Sequence, residues 1–150
     1  MIDLSSTFGG AVRKYLENEY VIWLTTVDSN LTPQPRPVWF IWKDESFLIF
    51  SQARAHKVAH IKKNPKVALH FNTDETGDKH VIVFVGEASI DENCPPAHLV
   101  PEYFKKYHKN QYVAIKDKRL LDKDTDLEIL VKRLKIKEYA DSILIEFVYS

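Results

Sequence analysis

Three side chains of this 150-residue chain are well suited to gripping an anion: Arg36, Ser51 and Lys57. Arg36 opens the apolar run "RPVWFIW", Ser51 closes "FLIFS", and Lys57 sits early in the basic stretch "ARAHKVAHIKKN". If the two apolar runs form a β-hairpin around Lys43 to Ser46, Arg36 and Ser51 meet at its open end, beside the start of a basic helix. A guanidinium, a hydroxyl and an ammonium converging on a helix N-terminus would hold a phosphate. The alternative is that Arg36 ends a strand and the cations solvate a helix face. His56 and His60, four residues apart, could share a metal, but no carboxylate or thiol follows at ligand spacing, which favours two solvent-facing histidines. Trp39 and Trp42 fall on opposite faces of their strand and could wall a flat heteroaromatic ligand, or belong to core or interface.

Side-chain catalysis has little to stand on. The chain lacks Gly-x-Ser-x-Gly, His-Glu-x-x-His and a phosphate loop, and nothing near Cys94 in sequence would lower a thiol pKa. Any difficult chemistry would then belong to a bound cofactor, with the protein supplying grip and orientation.

These residues need a scaffold, and the hydrophobic period supplies one. Val12, Tyr15 and Leu16 predict a helix over Ala11 to Asn18. "YVIWLTTV" (Tyr20 to Val27), Arg36 to Trp42, Phe47 to Ser51, "KVALHF" (Lys66 to Phe71) and His80 to Ile90 predict five strands, the second restricted at its start by Pro33, Pro35 and Pro37. A loop spans Asn72 to Lys79, and Gly86 inside the fifth strand marks a bulge, bend or close approach. Helices follow over Pro95 to Asn110 and Asp126 to Lys135, and Asp141 to Tyr149 alternates as a sixth strand that would close the sheet. The expected fold is mainly β with peripheral helices, a small antiparallel barrel in a single domain over residues 1–150.

Composition sets the outer limits. Apolar residues make up 45% and charged residues 28%, and 21 basic residues balance 21 acidic ones, which argues against a nucleic-acid partner. The N-terminus lacks a signal-peptide pattern, no apolar run reaches the length of a membrane span, and the single Cys94 fits a reducing compartment, so the expected location is the cytosol, away from any membrane.

Taken in order, "RPVWF", a strand ending in Phe-Ser, a helix with Lys57 and "KKNPKVAL", and "VIVFVGEAS" resemble the pyridoxamine 5′-phosphate oxidase-like split-barrel flavoproteins over about Tyr20 to Tyr112. "PVWF" and "PPA…YFKKY" are similar to the small branch of deazaflavin-dependent or FMN-binding enzymes. The resemblance implies a six-stranded split barrel and a homodimer, with FMN (or the deazaflavin F420) at the subunit interface and a small-molecule substrate beside it. Carried over by position, Arg36, Pro37, Val38 and Trp39 would run beside the flavin ring. Phe50 and Ser51 would approach the ribityl chain or phosphate, Lys57 would bind the phosphate, and His56 stands where the oxidases have a second basic residue. Val81 stands where those oxidases often have a ring-binding Gln, and the C-terminal Arg-x-His motif is missing, which points away from pyridoxamine phosphate oxidation. His60 stands where deazaflavin users often place a basic or amide residue. The implied activity is hydride transfer; a flavin carrier or sensor, or a heme-binding split barrel using His108 or another His, are the alternatives on this scaffold.

Overall fold

The computed structural model describes residues 5–77, 80–108, 112–116, 119–124 and 142–149, with only the backbone described for His98, His108 and the last three segments. Among the described residues the protein is mainly β, with three α-helices and antiparallel sheets. Helix α1 (Thr7–Asn18) starts where the Ser6 hydroxyl accepts the Gly9 N–H at 3.0 Å, and it buries Val12 and Leu16. It begins four residues earlier than its apolar spacing predicts, because its first turn is polar and set by the cap.

Strand β1 (Val21–Val27) buries Ile22, Leu24 and Thr26 and turns Val21, Trp23 and Thr25 outward. The turn after it is tied by Asp28, whose Oδ1 accepts the N–H groups of Asn30 and Thr32 at 2.9 and 3.0 Å. β2 (Pro33–Trp39) then pairs back on β1, from Val27↔Pro33 to Val21↔Trp39, at the edge of the sheet. Prolines at every second position have no N–H to donate, and an edge strand has a side on which none is needed.

The expected strand over Arg36 to Trp42 is interrupted at Phe40, beyond which β3 (Ile41–Lys43) pairs with β4 (Ser46–Gln52) instead. The cause is distant in sequence. Tyr107 Oη takes the Phe40 N–H at 2.7 Å and lies 2.8 and 2.6 Å from the carbonyl oxygens of Tyr20 and Phe40, so one phenol serves the backbone groups that the ladder leaves at the break. The β3–β4 hairpin forms as expected, with Lys43↔Ser46 closing a two-residue loop in which Asp44 and Glu45 both hold positive φ, 50° and 59°.

Helix α2 (His56–Lys63) buries Val58 and Ile61 and leads through Pro65 into β5 (Lys66–His70). β6 (Val83–Asp91) pairs with β5 and, from Gly86 onward, with the terminal strand. A 3₁₀ turn (Ala97–Leu99) precedes α3 (Pro101–His108), so the single helix expected over Pro95 to Asn110 is divided; Pro101 cannot continue a preceding helix but suits the first position of a new one. The hairpin of β7 (Tyr112–Lys116) and β8 (Arg119–Asp124) forms a separate two-stranded sheet that the residue pattern did not announce. The helix expected over Asp126 to Lys135 lies outside the described residues. β9 (Ser142–Tyr149) inserts between β6 and β4, giving the order β2-β1-β5-β6-β9-β4-β3. This ladder is not closed by hydrogen bonds between β2 and β3.

The core is a packed aromatic and aliphatic cluster. Phe40, Phe47, Ile22 and Leu69 are fully buried, and the Phe47 ring meets Phe84 edge-on at 4.8 Å. Among the described residues no helix is long and apolar enough to cross a membrane.

Candidate functional site

The register of β1 on β2 builds the site. Three cross-strand pairs on the inner face read Ile22↔Val38, Leu24↔Arg36 and Thr26↔Gln34, passing from apolar to polar in the same direction. The core therefore ends in a polar mouth. A cleft of about 260 Å³ opens there, lined by Thr26, Gln34 and Arg36 from the sheet and by His56, Lys57 and His60 from α2. Because α2 presses Val58 and Ile61 into the core, the flanking Lys57 and His60 are carried to the cleft.

The polar groups are tied to one another. Lys57 Nζ donates to Ser51 Oγ at 3.3 Å, joining the end of β4 to the first turn of α2. Burial holds the Lys57 ammonium below the ordinary lysine pKa, and the neighbouring Arg36 charge lowers it further. Thr26, almost fully buried, has its Oγ1 2.9 Å from His60 Nδ1. His60 is thus half-buried and engaged with the sheet rather than solvent-facing, while His56, four residues away, is exposed at the cleft's rim with its ring centroid 6.5 Å from that of His60. Gln34 Nε2 donates to Asp28 Oδ2 at 3.0 Å, so the β1–β2 turn also steers a cleft side chain. The Asp28 carboxyl is held below its usual pKa, first by the Thr32 N–H. None of the six lining side chains is a carboxylate. Among the described residues no group of three His, Cys, Asp or Glu could hold a metal.

The eight residues singled out from the sequence separate into two groups. Arg36, Ser51, His56 and Lys57 come together at or beside the cleft. Pro37 and Trp39 face outward on β2, Val38 points into the core, and Phe50 lies under α3, its ring 5.0 Å from Tyr103. Trp39, half exposed, stacks on Tyr107 with centroids 4.6 Å apart and planes 7° from parallel. Sequence reasoning missed Thr26 and Gln34 as lining residues. The alternation of Ile22, Leu24 and Thr26 against Val38, Arg36 and Gln34 was the available signal, and it becomes legible only once the register is known.

The sequence profile of the pyridoxamine 5′-phosphate oxidase family matches residues 8–132, a span that holds the whole cleft. The chain belongs to this family. No curated protein sequence matches it. Solved structures share the fold of this family member. An F420 reductase is 20% identical with a TM-score of 0.61, the alignment covering 92% of each chain. A conserved hypothetical protein of Mycobacterium tuberculosis is 15% identical with a TM-score of 0.66 over 93% of this chain and 79% of that one. The heme storage protein HutZ of Vibrio cholerae is 15% identical with a TM-score of 0.60 over 94% and 89%.

Proposed function

We propose that the protein is a homodimeric, cytosolic flavin-dependent oxidoreductase that holds the phosphate of FMN, or of the deazaflavin F420, in the cleft. The observation that carries this reading is the carboxylate-free lining itself: Arg36 and Lys57 lie close enough for one charge to depress the pKa of the other, and two imidazoles stand beside them. Paired cations in a partly buried site are costly unless an anion joins them. The donor set fits a phosphate, with Ser51 and Thr26 adding hydroxyls and Gln34 an amide. When bound, the flavin would supply the hydride chemistry. The chain would bind and orient it, with the backbone of Pro37 and Val38 and the indole of Trp39 along the ring, and Phe50 and Ser51 toward the ribityl chain.

The homodimer rests on the outer face of the sheet. Val21 and Trp39 pair across β1 and β2, Trp23 stacks on His70 of β5, and Val83 and Val85 of β6 are more than half exposed, so an apolar band crosses four adjacent strands. Such a contiguous apolar band is what a subunit interface would cover, and it supports this reading. In the same reading β2 and β3 are halves of one strand bent at Phe40, which with β1, β4, β5, β6 and β9 gives a six-stranded split barrel.

The test begins with the purified protein: heat releases any bound ligand for absorbance and mass measurement, and stripped protein is titrated with FMN and F420. Saturable binding of one of them, with reduction by a nicotinamide cofactor and dimeric mass in solution, is expected. Protein that binds neither overturns the reading, and bound flavin that no reductant reduces makes the protein a carrier.

A further inference from the structure

The outer face of the sheet carries an ionisable side chain in the middle of its apolar band. Strand register lines up Pro37, Trp23, His70 and Val83 as neighbours across β2, β1, β5 and β6. The row beside it runs from Pro35 through Thr25 and Ala68 to Val85, and neither row holds a titratable group other than His70. His70 is half-buried, its ring stacked on the Trp23 indole with centroids 6.1 Å apart and planes 6° from parallel. The indole is fixed in turn by its Nε1, which donates to Asn72 Oδ1 at 2.9 Å. The strands on either side of His70 thus present Trp23 and Val83 to it, and no charge. Along the same face the next charges are Lys66 and Glu87, which oppose each other two rows away. Past the other end of β5 stands His80, its ring 6.0 Å from that of Tyr15.

A two-fold dimer buries the same patch from both protomers, so each His70 would meet a surface of the composition that surrounds it already. Neither row of that surface brings a carboxylate. Taking an imidazolium out of water without a counter-charge is costly, whereas a neutral imidazole is tolerated. In separated protomers water and the indole face both favour the charged form. We infer that the protomers associate through this face with both His70 side chains neutral, so that acid dissociates the dimer. The inference rests on the homodimer of the proposed function and adds its regulation. Association expels protons, and the dissociation constant therefore rises as pH falls through the range in which an imidazole gains its proton, near pH 6.5.

The dimer dissociation constant is measured by sedimentation velocity between pH 7.5 and 5.5 for wild type and His70→Gln, with circular dichroism confirming the fold at each pH. Two imidazoles of ordinary pKa that must both be neutral raise the constant by about a hundredfold over this range, which is the result expected for wild type. For His70→Gln the constant is expected to stay nearly level. The same rise in both proteins assigns the effect to other groups and overturns the inference. A wild-type constant that is level, or that falls in acid as it would if Glu87 reached His70 across the interface, also overturns it and leaves the homodimer intact. Monomers of both proteins at every pH overturn the homodimer itself. Dilution calorimetry of wild type at pH 6, in two buffers of different ionisation enthalpy, does not depend on the variant: uptake of about 1.5 protons per dimer dissociated sustains the inference, and no uptake ends it.

Discussion

Helices α2 and α3 are both eight residues long, and each carries a lysine whose pKa is depressed by burial, yet the two lysines are in opposite situations. Lys106 of α3, pushed down to about 8, has its ammonium 3.7 Å from the centre of the Phe40 ring and feels the charge of Glu19, which raises its pKa against the larger effect of burial. Its compensation comes from within the chain. Lys57 of α2 has a hydroxyl and a second cation, Arg36, beside it. The sheet under α3 is closed by aromatic packing and the Tyr107 hydroxyl, whereas the sheet under α2 opens into a cleft. One helix completes the fold; on the proposed reading the other presents a charge to a bound phosphate.

If that division is right, variants on the two helices should move different observables. Lys57→Ala should weaken FMN binding by about 1.5–3 kcal/mol, the worth of a hydrogen bond to a charged group, which is roughly ten- to a hundredfold in Kd. Its thermal midpoint should hold or rise, because a repulsion with Arg36 is removed; a fall in midpoint with no loss of affinity would reverse the roles of the helices. Tyr107→Phe keeps the ring stacked on Trp39 but strips the phenol from Phe40 and Tyr20. Denaturant unfolding should show a loss of about 1–3 kcal/mol, the cost of leaving partly buried backbone groups unsatisfied, with FMN affinity within about twofold of wild type.

Lys106 offers a pH test. Its folded pKa lies below the ordinary 10.5, so the unfolded chain binds the extra proton between about 8 and 10.5. The penalty is therefore present in full below pH 8 and fades as pH rises through that window. Stability contributed by this group should increase with pH there, and the difference between wild type and Lys106→Met should show that slope. A flat difference would mean that the ammonium is solvated. The smallest effect is expected in the β3–β4 loop, where Glu45 occupies a left-handed conformation that glycine adopts without strain. Glu45→Gly should stabilise the protein by about 0.5–1 kcal/mol in thermal unfolding and leave both helices unaffected.

Much of this contrast was legible in the residues. The Lys66 start of β5, the turn of the β3–β4 hairpin and the basic helix follow from period and turn chemistry, but the hairpin does not extend back to Arg36, which reaches the cleft through its pairing with Leu24 of β1. What stayed hidden depends on contacts far apart in sequence. The interruption at Phe40 is held by Tyr107, 67 residues later, and no local pattern in "RPVWFIW" marks it. His60 looked exposed because its partner Thr26 belongs to a strand 34 residues earlier. Thr26 and Gln34 join the cleft only through the pairing of β1 with β2, which alternation within either strand cannot supply. The 3₁₀ turn before α3, by contrast, could have been anticipated from Pro101.

The central claim is that α2 carries one site-directed cation rather than a diffuse positive face. Lys62, on the same helix, is paired with Glu92 on the surface, away from the cleft lining. The direct measurement is the FMN dissociation constant of Lys57→Ala beside that of Lys62→Ala at fixed ionic strength. The account predicts a loss of roughly ten- to a hundredfold for Lys57→Ala and no change for Lys62→Ala. Equal losses in the two variants would contradict it.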